Sequence, residues 1–202
     1  MRKSWQNWLT KRFNYQQLKK LSQRDILIFI FKQGYLYLVL ILITFVAGVN
    51  YANNLILGFC FLISSVLCIS FYLTFKQLHG LEIELIADDI GQVGEASHLH
   101  LYFRQNEIQH RYLYIEIGEH TEKIFIHSQK QHLSIAFYMQ ERGAFDYPMV
   151  KIYSIYPFGL VRAWTYLYHQ KQAWIAPKAS FIQTENKHTQ NSFEPEIGRA
   201  HV

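Results

Sequence analysis

From Gln33 to Phe75 the chain runs for 43 residues without one Lys, Arg, Asp or Glu. No feature constrains the fold more. The stretch resolves into two apolar runs, Tyr35–Val49 and Leu55–Phe75, parted by the polar knot Asn50-Tyr51-Ala52-Asn53-Asn54. At ~1.5 Å per residue the second run is roughly 31 Å long as a helix, enough to cross a hydrocarbon core of about 30 Å. The first run is shorter, and it reaches the same length if it extends backwards through Ile26–Phe31 with Lys32 snorkelling to the headgroups. Helix is the conformation expected, because an uncharged segment in lipid must satisfy its own backbone hydrogen bonds. The expectation is a two-helix transmembrane hairpin over residues 33–76.

Charge then orients the hairpin. The net charge of +5 is divided unevenly. Residues 1–32 carry eight basic side chains against Asp25 alone, a net +7, whereas the chain from Lys76 onward holds twelve basic and fourteen acidic residues, a net −2. Positive charge is retained on the cytoplasmic side, and the turn between the runs has none. Both termini are therefore expected in the cytoplasm, with the hairpin a multi-pass anchor and the lipid bilayer its first partner. The arm before the first run is too long for a signal peptide, and no small-residue cleavage site follows it. Cys60 and Cys68 both fall in the second run, which rules out a disulfide framework and leaves them to helix packing.

Within the basic arm, Trp5, Trp8, Leu9 and Phe13 share a helical face, as in a short amphipathic helix lying on the membrane surface. Interleaved basic and aromatic residues also occur in nucleic-acid-binding arms. The positive-inside rule already accounts for these charges, so no nucleic-acid partner is expected.

After the hairpin the apolar period changes from helical to alternating. Leu81–Leu85, His98–Phe103, Tyr112–Ile117, Lys123–His127, His132–Tyr138, Met149–Tyr153, Leu160–Tyr168 and Gln172–Ile175 are short runs rich in Ile, Leu, Tyr and Phe. Turn residues separate them, including Asp88-Asp89-Ile90-Gly91, Gly94, Gly118-Glu119-His120 and Glu141-Arg142-Gly143. Seven or eight strands without intervening helices predict an antiparallel, immunoglobulin-like β-sandwich over residues 77–178, on the cytoplasmic side. Residues 179–202 read as a polar tail leading to a further domain.

No catalytic constellation emerges. A zinc site needs three or four converging ligands, and neither H-E-x-x-H nor a paired C-x-x-C occurs, although His98 and His100 share a strand face and His110, His120, His127, His132 and His169 are scattered nearby. Glu82 and Glu84 read as a solvated strand face, and Asp88 and Asp89 as turn caps. G-x-S-x-G, G-x-x-x-x-G-K and G-x-G-x-x-G are all absent. Cofactors and small-molecule ligands are accordingly not expected. One group of residues stands out as a partner-binding patch: Tyr156, Phe158, Arg162 and Trp164, aromatic and basic together around a Pro/Gly turn. The alternative for these residues is structural, with Trp164 in the core and Arg162 paired with a surface acid.

That turn carries the chain's most distinctive segment, Ser154-Ile155-Tyr156-Pro157-Phe158-Gly159-Leu160-Val161-Arg162-Ala163-Trp164. It resembles the S-x-Y-P-F-G-L-x-R-A-W stretch of bacterial membrane proteins in the domain of unknown function 58 family. Gln33-Gly34, Asn50-Tyr51, Asn53-Asn54 and Leu78-His79-Gly80-Leu81 are similar to the N-terminal region of that family, and the resemblance spans roughly residues 5 to 180. It implies a two-helix anchor, a β-sandwich and then the family-defining domain, related to the von Willebrand A fold. It also implies a gene neighbourhood shared with MoxR-type AAA+ ATPases and a role in assembling or maturing other proteins, the family's biochemical activity being unassigned. The expectation for this chain is a non-enzymatic scaffold of the bacterial inner membrane working with such an ATPase. An enzyme of envelope metabolism, with its catalytic residues in a later domain, is the alternative from another class.

The family's G-D-x-x-R-x-I-x-W-K-like signature does not occur here. The last residues, Glu196–Val202, match the translation of a common sequencing adapter, so the natural chain is expected to continue past about Pro195. Resequencing the genomic locus tests this: an open frame beyond Pro195 is expected, and a clean in-frame stop after Val202 would contradict it.

Overall fold

The computed structural model describes residues 18–168 and 172–178. The proposed amphipathic face of Trp5, Trp8, Leu9 and Phe13, His169 and the tail 179–202 lie outside them. The chain enters through β1 (Leu18–Lys20), a 3-10 turn (Gln23–Asp25) and β2 (Leu27–Ile30). The turn is closed by a capping box in which the Asp25 carboxylate accepts from the Ser22 N–H and hydroxyl at 3.0 and 2.8 Å. Two long helices follow, α1 (Lys32–Asn50) and α2 (Asn54–Leu78). Ten more strands complete the described chain: β3 (Glu82–Ala87), β4 (Ile90–Gln92), β5 (Ala96–Arg104), β6 (Arg111–Ile117), β7 (His120–Ile126), β8 (Lys130–Tyr138), β9 (Gly143–Asp146), β10 (Val150–Ser154), β11 (Val161–Leu167) and β12 (Gln172–Ala176).

The strands form three sheets, in the orders β1-β3-β5-β8, β2-β11-β10-β6-β7 and β4-β12-β9. Pairing is antiparallel except between β4 and β12, where Trp174 lies opposite Ile90 in a parallel register. The all-antiparallel expectation fails at that one place, because Ile90–Gln92, read as a turn, is a three-residue strand. Alternation decides what is buried. Ile83, Leu85, Leu99, Leu101 and Phe103 of the first sheet meet Leu113, Ile115, Ile152 and Leu167 of the second in one continuous core.

Two expectations about the N-terminal part are corrected. Ile26–Phe31 does not prolong the first helix; Leu27–Ile30 is a strand paired antiparallel with β11, Leu27 opposite Trp164 and Ile30 opposite Val161. Alternating exposure on a free sheet edge suits Leu27-Ile28-Phe29-Ile30 as well as a helix does, and the open edge of β11 takes it. The arm of residues 1–32 is therefore not separate from the later β-region. Its strands β1 and β2 belong to the first and second sheets, and the helical pair is inserted into the β-fold between β2 and β3.

The two helices run antiparallel. The Tyr37 hydroxyl donates to the Ile63 carbonyl at 3.0 Å, and the Cys60 thiol to the Ile41 carbonyl at 3.6 Å. Gly48 faces Leu57 so closely that a Cβ would stand 2.8 Å from its Cδ2. Between the helices the polar knot is a cap: Asn53 Oδ1 accepts from the Leu55 and Ile56 N–H groups at 2.9 and 3.4 Å. Both helices are long and apolar enough to cross a membrane. Little protein covers them, and Leu36, Leu55 and Phe61 are 75%, 83% and 70% exposed.

Both connections from helix to sheet are short and clamped. One residue, Phe31, joins β2 to α1, and its N–H donates to the Leu160 carbonyl at 2.8 Å. Gly34 sits against the same carbonyl, where a Cβ would come within van der Waals exclusion of the backbone. At the other end Leu78 closes α2 fully buried in the β-core. The last carbonyls of α2 are taken by Arg111, itself 4% exposed. Its Nη1 donates to the carbonyls of Lys76, Gln77 and His79 at 3.1, 2.9 and 3.0 Å. Its Nε donates to Gln105 Oε1 at 3.0 Å and its Nη2 to Gln109 Oε1 at 3.1 Å. Helix carbonyls without intrahelical partners and a buried cation thus satisfy each other.

Arg111→Met keeps the volume and removes every donor, leaving the helix carbonyls of Lys76 and Gln77, the His79 carbonyl just past the helix, and the Gln105 and Gln109 side chains facing an apolar side chain. Buried acceptors left without a donor cost about 1–3 kcal/mol each, so a loss of about 3 kcal/mol is expected, read from the denaturant midpoint of the detergent-solubilised protein. A loss under about 1 kcal/mol would contradict this account of the joint.

Candidate functional site

The four patch residues occupy two different surroundings. Residues 155–160 form the turn between β10 and β11, with a cis Tyr156–Pro157 peptide and Gly159 at φ 70°. The positive φ is a conformation that glycine adopts without steric cost. Tyr156 and Phe158 project from this turn, 42% and 51% exposed. Arg162 and Trp164 instead lie half-buried on the outer face of the second sheet, between Val161, Ala163 and Thr165, which point into the core.

On that outer face Arg162 is engaged on two sides. Its guanidinium carbon stands 3.8 Å from the Tyr153 ring centroid, and its Nη2 lies 3.5 Å from Glu116 Oε2. The same carboxylate oxygen takes Lys151 Nζ at 3.0 Å. Tyr153 stacks on Tyr114, centroids 4.9 Å apart and planes 8° from parallel, while Trp164 stacks on Phe29 at 5.8 Å. Burial pushes the Tyr153 and Tyr166 phenols above their ordinary values. Both hydroxyls stay protonated at neutral pH. Arg162 therefore has the acid partner foreseen in the structural alternative, whereas Trp164 is on the outer face and not in the core. Phe29 and Tyr153, which complete this layer, were not singled out from the sequence; Phe29 lay in a segment read as helix.

The turn is surrounded differently. Tyr156 packs on Tyr112 at 4.5 Å, Tyr112 on Phe125 at 4.5 Å, and Phe125 on His110 at 5.5 Å. Beside this ladder lies an open hollow of about 330 Å³ lined by Tyr112, Tyr114, Tyr156, Pro157 and Phe158. Its walls carry no carboxylate, imidazole, thiol or amine. Its polar side-chain atoms are the phenol hydroxyls of Tyr112, Tyr114 and Tyr156, so such a surface can bind apolar or aromatic groups.

The turn is also fastened to the helices. The Thr74 hydroxyl donates to the Tyr156 carbonyl at 3.0 Å, the Ser154 hydroxyl donates to the Tyr112 carbonyl at 2.7 Å, and the Leu160 carbonyl faces Phe31 and Gly34. Residues 156–160 are wedged between the first turn of α1 and the last turns of α2.

The other candidates resolve as follows. His98, His100, Tyr102 and His132 form a stacked row on the outer face of the first sheet, with centroids of neighbouring rings 5.1–5.9 Å apart along the contacts His98–His100, His100–His132 and Tyr102–His132. Among the described residues no three His, Cys, Asp or Glu side chains converge as a metal site requires. Glu84 pairs with Arg104 at 2.8 Å, and Glu82 lies 3.9 Å from Lys20. Asp88 accepts the His98 N–H at 2.8 Å, as a turn-capping carboxylate does.

No family model, no curated protein and no solved structure matches this chain.

The two halves of the patch should answer mutation differently. Tyr153→Leu removes a ring stack and the seat of Arg162, and is expected to cost about 1–2 kcal/mol. Phe158→Ala, on an exposed turn, should cost less than about 0.5 kcal/mol. Denaturant unfolding in detergent checks both, and equal costs would contradict the division.

Proposed function

We propose that this protein is a non-enzymatic scaffold held in the bacterial inner membrane by its helical pair, with an immunoglobulin-like β-sandwich on the cytoplasmic side. In water the uncovered sides of α1 and α2 would form an apolar surface far larger than soluble proteins carry. In lipid they need no further cover. At ~1.5 Å per residue the helices are about 28 and 37 Å long, bracketing the hydrocarbon thickness. Tyr35 and Tyr72 are exposed near one end of the pair and Tyr51 at the other, as aromatic residues are at the two interfaces. Lys32 and Lys76 stand together at the end nearest the sheets, which supports a cytoplasmic position for the β-fold.

The observation that carries the reading is the joint. One residue separates β2 from α1 and three separate α2 from β3, and both crossings are bonded into the sheet. A flexible linker would confine a partner near the bilayer without orienting it. This joint does both, so tethering raises the effective concentration of a bound partner and presents it in one orientation. The resemblance around Ser154–Trp164 gives a MoxR-type AAA+ ATPase as the partner to look for, and the outer face of the second sheet is a surface open to it.

Cysteine accessibility tests the topology. With Cys60 and Cys68 replaced by Ala, a membrane-impermeant maleimide should label Tyr51→Cys from the periplasmic side of intact inner membranes and leave Glu119→Cys unlabelled until the membrane is broken. The reverse pattern would overturn the orientation, and labelling of both would overturn the anchor. Affinity capture from membranes should bring an AAA+ ATPase with the protein, and repeated capture without one would remove that partner.

A further inference from the structure

The turn at residues 156–159 is attached to the helical pair at a definite height. Thr74, which holds the Tyr156 carbonyl, lies two residues inside Lys76; Gly34, against the Leu160 carbonyl, lies two residues inside Lys32. Both attachment points fall within the charge-free stretch, each about 3 Å along the helix from its bounding lysine. A β-turn fixed there cannot stand clear of the membrane if the helices cross it. Its exposed side chains are Tyr156 and Phe158, and the turn carries no charge. Tyr and Phe are side chains that favour the boundary between headgroups and acyl chains. Ile108, 60% exposed, belongs to the loop whose Gln105 and Gln109 hold Arg111 against the end of α2, so a further exposed apolar side chain lies at the same end. Lys32 and Lys76, both exposed, supply the positive charge that anionic headgroups attract.

We propose that Tyr156 and Phe158 insert into the cytoplasmic headgroup–acyl boundary and that the bilayer itself occupies this surface. The β-fold then rests on the membrane by its aromatic turn as well as hanging from its helices. The inference rests on the membrane reading of α1 and α2 and goes beyond it: a hairpin could span lipid while the turn stayed in water or against another protein. Stacking of Tyr156 on Tyr112, and of Tyr112 on Phe125, holds the inserted ring from behind. The outer face of the second sheet remains accessible to a protein partner.

Depth measurement by spin labelling separates the possibilities. The full chain, with Cys60→Ala and Cys68→Ala, is reconstituted into vesicles of phosphatidylethanolamine and phosphatidylglycerol. Single labels are placed at Phe158→Cys, at Leu62→Cys on the exposed side of α2, and at Glu119→Cys. Glu119 follows the far end of β6, about 20 Å along the strand from Arg111. Relaxation by oxygen reports lipid, and relaxation by a water-soluble nickel chelate reports water. Oxygen should dominate at Leu62 and, less strongly, at Phe158, with nickel dominating at Glu119. Nickel dominance at Phe158 with Leu62 still in lipid would overturn the insertion and leave the anchor standing. A Phe158 label shielded from both reagents would mean that protein, a second copy or a partner, covers the turn, and would overturn it equally. Nickel access at Leu62 would overturn the anchor and the insertion together. Tyr156→Cys is a second reporter on the same turn, should the Phe158 variant lose its fold.

Discussion

A buried guanidinium that meets no carboxylate among the described residues is the interaction on which this architecture depends. Arg111 opens β6 and is almost entirely removed from solvent, yet its donors are met by three carbonyls at the end of α2 and by the side chains of Gln105 and Gln109. Burial lowers its pKa from the ordinary value, and a guanidinium so shifted is still charged at neutral pH. The negative end of the helix dipole compensates that charge, and the charge in turn satisfies carbonyls that no following helical turn can reach. Gln105 extends the arrangement by donating to the Ser128 and Gln109 carbonyls at 2.9 and 3.1 Å. The end of α2 is thus bonded to three separate parts of the β-fold.

Because the helix end is fixed in this way, the other contacts at the base become possible. Leu78 can enter the core, Gln77 Oε1 can accept the Tyr112 N–H at 3.0 Å, and Thr74 can reach the Tyr156 carbonyl. On the other helix, Gly34 lets α1 approach the Leu160 carbonyl closely enough for the turn to be gripped from both sides. The consequence for function is mechanical. On the membrane reading proposed above, a β-fold carrying an inserted hairpin would transmit the orientation of the membrane to a partner bound on the sheets, which a domain on a loose stalk would not do.

Much of this was legible in the residues. Charge-free length and the Asn50–Asn54 knot located both helices, and alternation located eight strands, seven of them, Tyr112–Ile117 and Leu160–Tyr168 among them, to within two residues at each end, while β7 begins three residues before the expected Lys123. Four short strands escaped. Leu18–Lys20, Leu27–Ile30, Ile90–Gln92 and Gly143–Asp146 are three or four residues long and owe their conformation to partners far along the chain, which local periodicity does not encode. That omission hid the insertion of the hairpin into the fold. The patch was legible only as a cluster in sequence: Tyr156 and Phe158 share a turn, but Arg162 is held by Tyr153 and Glu116, whose approach depends on β10, β11 and β6 lying side by side. Arg111 carried no local signal, since a strand-opening arginine ordinarily faces water.

The central claim is that the hairpin and the sheets move as one body in the membrane. Pulsed electron–electron distance measurement between labels at Tyr51, on the far side of the hairpin, and Glu119, beyond the far end of β6, tests it most directly in bilayers. A single narrow distance distribution, no wider than that of a pair placed within the sheets, is the result this account predicts. A broad distribution would contradict it, because it would mean that the helices are hinged to the β-fold rather than built into it.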